Sequence, residues 1–250
     1  MISILMPIYN GIEFINDSIT SIITQTFDDW ELIIGINGHP ENSDIFKTAK
    51  LYELTDPRIK VYDLLNIKGK SNALNKMVGL CKYNYIALLD VDDIWYYKKL
   101  EIQSKFINEY DVVGSNCVWF GDITNIVPKI PKYDFSDFNF SQVNPIINSS
   151  SITKKELCYW KDEFNGVEDY DMWIRIRKLN KKFYNCPEIL VKHRIHKQSA
   201  FNSKGNNKVT PLLKSHGFTN ELNNNKKIKM NFFKQVFYSS LKDINLLYYD

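Results

Sequence analysis

Apolar and polar positions along the first hundred residues switch repeatedly between two periods. "ISILMPI" (2–8) is a nearly unbroken apolar run, the form taken by a strand buried on both faces, and "FINDSITSIITQT" then spaces Ile15, Ile19, Ile22 and Ile23 as a helix does. "ELIIGI" (31–36) returns to a strand. The alternation continues: "DIFKTAKLYEL" predicts a helix, "RIKVYDL" a strand, "SNALNKMVGLC" a helix, "YIALL" a fourth strand, and "YKKLEIQSKFINEY" a helix starting near Tyr96. Strands separated by such helices predict a mostly parallel sheet covered on both faces. Ligands of such sheets bind beyond the carboxyl ends of the strands.

At that edge the fourth strand runs into "DVDD". Asp90, Asp92 and Asp93 stand within four positions, where each carboxylate feels the repulsion of the others. Asp93 could cap the helix that follows, which leaves the other two unexplained. A hard divalent cation, Mg²⁺ or Mn²⁺, takes carboxylate oxygens and keeps positions open for substrate phosphates. Three enzyme classes place Asp-x-Asp after an apolar strand. A haloacid-type phosphatase carries it at the end of its first strand, whereas three strand–helix units precede it here. A sugar-phosphate nucleotidyltransferase needs a glycine-rich, Arg-containing turn after strand one, and this chain has "PIYNGIEF".

Composition narrows the partners. The 250 residues are 44% hydrophobic and 24% charged, ordinary for a soluble globular chain of one domain or one and a half. A net charge of +3 and the lack of a basic stripe before the last thirty residues argue against nucleic acid as partner. Cys81, Cys117, Cys158 and Cys186 have no paired spacing and read as buried thiols in a reducing compartment. The apolar start "MISILMPIYNG" lacks the basic residues and cleavage site of a signal peptide, and no run approaches the ~20 apolar residues of a spanning helix. A cytoplasmic protein is expected.

Six blocks, in order, resemble those of family 2 glycosyltransferases: "MPIYNGIEFINDSITSIITQTFDDWELIIGINGHPENS", "GKSNALNKM", "YIALLDVDDIWYYKKLEIQ", "NPIINSSSITKKEL", "FNGVEDYDMWIRI" and "ILVKHRIHKQSA". The resemblance covers roughly residues 1–200. It implies an α/β, Rossmann-like GT-A fold with a mostly parallel central sheet flanked by helices, and an inverting, Mn²⁺- or Mg²⁺-dependent transfer from a nucleotide diphosphate sugar, UDP-sugar favoured. The acceptor would be a hydroxyl of a glycan, a lipid-linked glycan or a protein. The implied layout is a domain over 1–205, with 1–118 as the nucleotide-sugar half and 119–205 as the acceptor half, followed by a helical extension over 206–250. A non-catalytic nucleotide-sugar or glycan-binding module on the same fold is the alternative.

The resemblance also assigns roles. Asp92 is the implied metal ligand, joined by His196 from an R-x-H position, while Asp90 contacts the ribose or supports the metal site. Pro7, Tyr9 and Asn10 form the nucleotide entrance, and Lys70 and Asn75 lie where the family contacts donor phosphate or base. Members usually carry two Asp at the end of the second strand, where this chain has Ile36 and Asn37, so Asn37 would read the base through its amide oxygen. Of Glu168, Asp169 and Asp171 at a helix head, Asp169 is the implied base and Glu168 a positioning residue. Met172, Trp173, Ile176 and Leu179 are that helix's expected buried stripe, and His193 reads as a packed or surface residue. Residues 121–145, with Pro128 and Pro131, are expected to face the acceptor. "FNSKGNNKVT" reads as a lid over the donor, and the basic, aromatic segment 225–249 either closes the core or lies on a membrane carrying the acceptor.

Overall fold

A computed structural model of the chain describes residues 1–196 and 208–218. The segment 225–249 and most of the expected lid lie outside them.

The apolar runs form strands β1 (Ile2–Ile8), β2 (Trp30–Asn37), β3 (Ile59–Leu64) and β4 (Tyr85–Leu88). They pair in parallel in the order β3-β2-β1-β4. Every residue of β2 is buried, as an inner parallel strand covered on both sides requires. Beyond β4 the sheet turns mixed. Strand β8 (Ile152–Lys154) lies antiparallel between β4 and β6 (Val112–Gly121), β6 runs parallel to β9 (Phe183–Ile195), and the short β5 (Ile94–Trp95) and β7 (Tyr133–Asp134) lie antiparallel on β9.

Side-chain alternation along β1 sends Ile2, Ile4, Met6 and Ile8 to one core and Leu5 to the other. The first core takes Ile15, Ile19 and Ile22 of α1 (Ile15–Ile23), Ala49 of α2 (Asp44–Lys50) and Leu100 of α4 (Lys99–Ser104). The second takes Ala73, Leu74 and Met77 of α3 (Lys70–Val78) and Met172, Trp173 and Ile176 of α5 (Glu168–Lys178). Leu212 and Leu213 of α6 (Val209–Ser215), past the boundary expected at residue 205, are buried in that second core too.

Three expectations need correction. The helix expected over 97–110 is only α4, because Ile94 and Trp95 first pair with Lys192 and Val191 and draw the chain into the sheet. Leu179 is 63% exposed, for α5 ends at Lys178 and the stripe ends with Ile176. Most of 121–145 does not lie at the carboxyl edge: Tyr133 and Asp134 pair with Asn185 and Tyr184 at the start of β9, and Phe135 and Phe140 pack on Phe183. Some ten residues of β9 separate that end from His196, about 30 Å of strand.

Candidate active site

The carboxyl ends of β1, β2, β4 and β9 converge on one edge, and α3 and α5 bring their amino-terminal ends to it. The "DVDD" loop lies at the centre, and its three carboxylates have separate partners. Asp90 Oδ1 accepts from Lys70 Nζ at 2.5 Å and Oδ2 from Asn148 Nδ2 at 3.1 Å. Asp92 Oδ2 faces His196 Nε2 at 2.8 Å. Asp93 is 1% exposed, lies 3.0 Å from His193 Nδ1 through both oxygens, and accepts the Arg194 amide at 2.8 Å. Asp93 therefore does not cap a helix, and His193 is no bystander: together they fasten the loop to β9.

The charge balance follows from these contacts. Burial alone would raise Asp90, but Lys70 overrides it and holds the carboxyl below its ordinary range. Asp92 is pushed upward by burial and then by the charges of Asp93 and Asp90, with His196 opposing. Burial disfavours charge on His193, yet Asp93 prevails and takes the imidazole up to about 9.

Arg194, the arginine of the R-x-H position, was assigned no role from the sequence. It donates Nε to the Asp92 carbonyl at 2.9 Å, with its guanidinium 4.3 Å from the ring centroids of both Phe14 and Phe120. The period of two along β9 puts Arg194 on the same strand face as His196, a signal that could have found it.

Asp169 lies at the head of α5. Burial first, then Glu168, raises it to about 6, against the pull of Lys70, the Tyr170 amide and Asn144. Asn144 Nδ2 donates to its Oδ2 at 3.0 Å. Glu168 turns back to accept from the Gly166 amide. Asp171 is fully buried away from the site, accepting Arg175 Nε at 2.7 Å and facing His216 Nε2 at 2.8 Å. Lys70 faces Asp90, Glu168 and Asp169 together, so its ammonium joins the two acidic motifs, and their attraction raises its pKa despite burial. The chain reaches it through Gly69, at φ +86°, where an added Cβ would stand 2.8 Å from Asp162 Oδ1.

At the end of β1, Pro7 is half-buried, and Tyr9 and Asn10 are exposed. The Tyr9 ring lies beside His39, whose Nε2 donates to the Tyr9 carbonyl at 2.6 Å. Asn37 is buried at the end of β2, 3% exposed. Asn75 does not join the group: its amide spans the Trp160 backbone, accepting from its N–H at 2.9 Å and donating to its carbonyl at 2.7 Å.

Among the described residues, no group of three or more His, Cys, Asp or Glu side chains gathers to hold a metal. Asp92 and His196 nevertheless fit a cation that completes its shell with phosphate and water, and the unbalanced charge of "DVDD" favours one. All four cysteines are free and buried. None of the described helices is long and apolar enough to cross a membrane.

The fold thus presents an acidic loop at the carboxyl edge of an open α/β sheet, with a carboxylate-headed helix beside it. The chain belongs to glycosyl transferase family 2, whose model matches residues 3–183. It is 32% identical over 213 residues to the O-antigen biosynthesis glycosyltransferase WbnJ of Escherichia coli, covering 80% of this chain and 81% of that one. It is 29% identical over 216 residues to the E. coli UDP-Glc:alpha-D-GlcNAc-diphosphoundecaprenol beta-1,3-glucosyltransferase WfgD, covering 82% of this chain and 81% of the relative. Its fold matches S. aureus TarS 1-349 in complex with UDP-GlcNAc, with TM-score 0.66 and 16% identity over 81% of this chain and 60% of that one. The mannosyltransferase PcManGT of Pyrobaculum calidifontis, in complex with GDP-Man and Mn²⁺, matches with TM-score 0.62 and 14% identity, over 80% of this chain and 58% of that one. The fold is GT-A, with a mostly parallel sheet flanked by helices.

Proposed function

We propose that this enzyme transfers a sugar, with inversion, from a nucleotide diphosphate sugar to a hydroxyl of a glycan or lipid-linked glycan, in a divalent-metal-dependent reaction. The observation that carries the reading is the pairing of two acidic motifs across Lys70: Asp92 with His196 on one side, and Asp169, raised to about 6, on the other. WfgD takes UDP-Glc and TarS binds UDP-GlcNAc, which favours a UDP-sugar here, and Asn37 can accept the uracil N–H through its amide oxygen.

In this reading residues 1–118 hold the donor, joined by His196 from the other half, and 119–205 otherwise serve the acceptor. Asp92 and His196 would hold the cation, which would neutralise the charge growing on the nucleoside diphosphate as it leaves. Pro7, Tyr9 and Asn10 line the nucleotide entrance, and Lys70 adds positive charge near the diphosphate while keeping Asp90 ionised. Asp169 takes the proton of the acceptor hydroxyl as its oxygen bonds to the anomeric carbon and the bond to phosphate breaks. A base near pKa 6 is ionised at neutral pH yet basic enough to accept that proton. A non-catalytic binding module would need no such group.

Calorimetry of UDP binding, with Mn²⁺ and with EDTA, tests the donor side. Asp92→Asn should cost at least tenfold in affinity with Mn²⁺ and change little in EDTA, while the fold stays intact. Binding equally tight with and without metal, and unchanged by the substitution, would remove Asp92 from the proposed site.

A further inference from the structure

The segment 144–150, Asn-Pro-Ile-Ile-Asn-Ser-Ser, has neither strand nor helical periodicity, yet it touches both acidic motifs. At one end Asn144 donates Nδ2 to Asp169 Oδ2 at 3.0 Å, while its own Oδ1 accepts the Ile146 amide at 3.3 Å. Both ends of the amide are thus engaged, and its orientation is set, because an ionised carboxylate can only accept. At the other end Asn148 Nδ2 donates to Asp90 Oδ2 at 3.1 Å, and Ser149 Oγ accepts the Asp90 amide at 3.1 Å.

The turn between them is fixed to the sheet. The Pro145 carbonyl accepts from the buried Asn185 at 2.9 Å, and the Ser149 carbonyl from Trp95 Nε1 at 2.7 Å. The Ser150 carbonyl accepts from Gln103 Nε2 at 2.8 Å, and its Oγ accepts the Ser115 amide at 3.1 Å. Seven residues therefore reach from the donor-side loop to the acceptor-side helix with little freedom to lengthen. Side chains serving only to fold this turn would not need to end on two carboxylates of the reaction site.

We propose that Asn144 is a positioning residue for the transfer, aiming Asp169 at the acceptor hydroxyl from a turn anchored at its far end to Asp90. The inference rests on the reading of Asp169 as the base. Glu168 from the same helix and Lys70 from α3 are the charged groups facing Asp169, and Asn144 adds the neutral donor that favours its ionised form. Loss of that donor removes a bond to the carboxylate, so Asp169 holds its proton to higher pH.

The test is the pH dependence of kcat, with donor saturating, for the native enzyme and for Asn144→Ala, Asn144→Ser and Asp169→Asn. A serine can retain the turn's bond to the Ile146 amide but falls short of Asp169, so that variant guards against simple misfolding. Both Asn144 variants should move the acid limb upward by half a unit or more and lower the plateau about tenfold, with donor KM within twofold of native. If Asp169→Asn abolishes transfer while both Asn144 variants keep the native acid limb, the positioning role is wrong and the base stands. If Asp169→Asn transfers normally, base and positioning residue fall together. Loss of donor binding by Asn144→Ser would show a purely structural role and overturn the proposal as well.

Discussion

Asp90, Asp92 and Asp93 are neighbours in the chain and have been separated by their partners: a lysine, one half-buried histidine, and a second half-buried histidine with a backbone amide. Their crowding is relieved at two of the three, which leaves Asp92 carrying the unrelieved charge. Asp93 belongs to the frame. Its removal should destabilise the protein by about 1–3 kcal/mol, since the Arg194 amide loses its acceptor and a half-buried imidazole its carboxylate. The pH dependence has a definite sign. His193 is raised in the fold to about 9, so the pair stabilises fully below the imidazole's unfolded pKa near 6.5 and is lost as pH rises through about 9. Urea midpoints for native and Asp93→Ala protein in metal-free buffer should accordingly differ widely at pH 6 and converge by pH 10. A gap independent of pH would mean that the Arg194 amide, and not His193, is the contact that matters.

Among the elements, β1 to β4 were legible because a strand buried on both faces appears in the chain as an unbroken apolar run. The mixed half was not. β5 and β7 are two-residue strands whose pairing with β9 joins residues about a hundred and about fifty positions apart, and a window of ten residues contains no trace of it. The site divides the same way: the acidic motifs stood out by their crowding, whereas Asn144, Asn148 and Ser149 became visible only when the fold brought 144–150 against Asp90 and Asp169. α6 belongs with the unforeseen parts. Leu212 and Leu213 are buried, and His216, its ring held between Lys178 and Asp171, closes over a carboxylate with no access to water. Leu212→Ala should therefore cost about 2–5 kcal/mol, as for any fully buried leucine, and thermal melts will show it. A melting temperature unchanged by Leu212→Ala would mean that α6 is an appendage.

Across the whole molecule, the sheet's carboxyl edge gathers one acidic motif from the parallel half and another from α5, with Lys70 and the 144–150 turn between them. In the proposed reaction these motifs divide the labour: Asp92 serves donor and cation, and Asp169 serves only the acceptor's proton. That division is tested most directly by single-turnover transfer with Asp169→Asn at saturating donor, reading the rate together with the anomeric configuration of the product by NMR. The rate should fall by about 10²–10⁴ while donor affinity stays near native, and the native product should be inverted. Near-native transfer by Asp169→Asn would contradict its role as base, and a retained anomeric configuration would contradict the displacement itself.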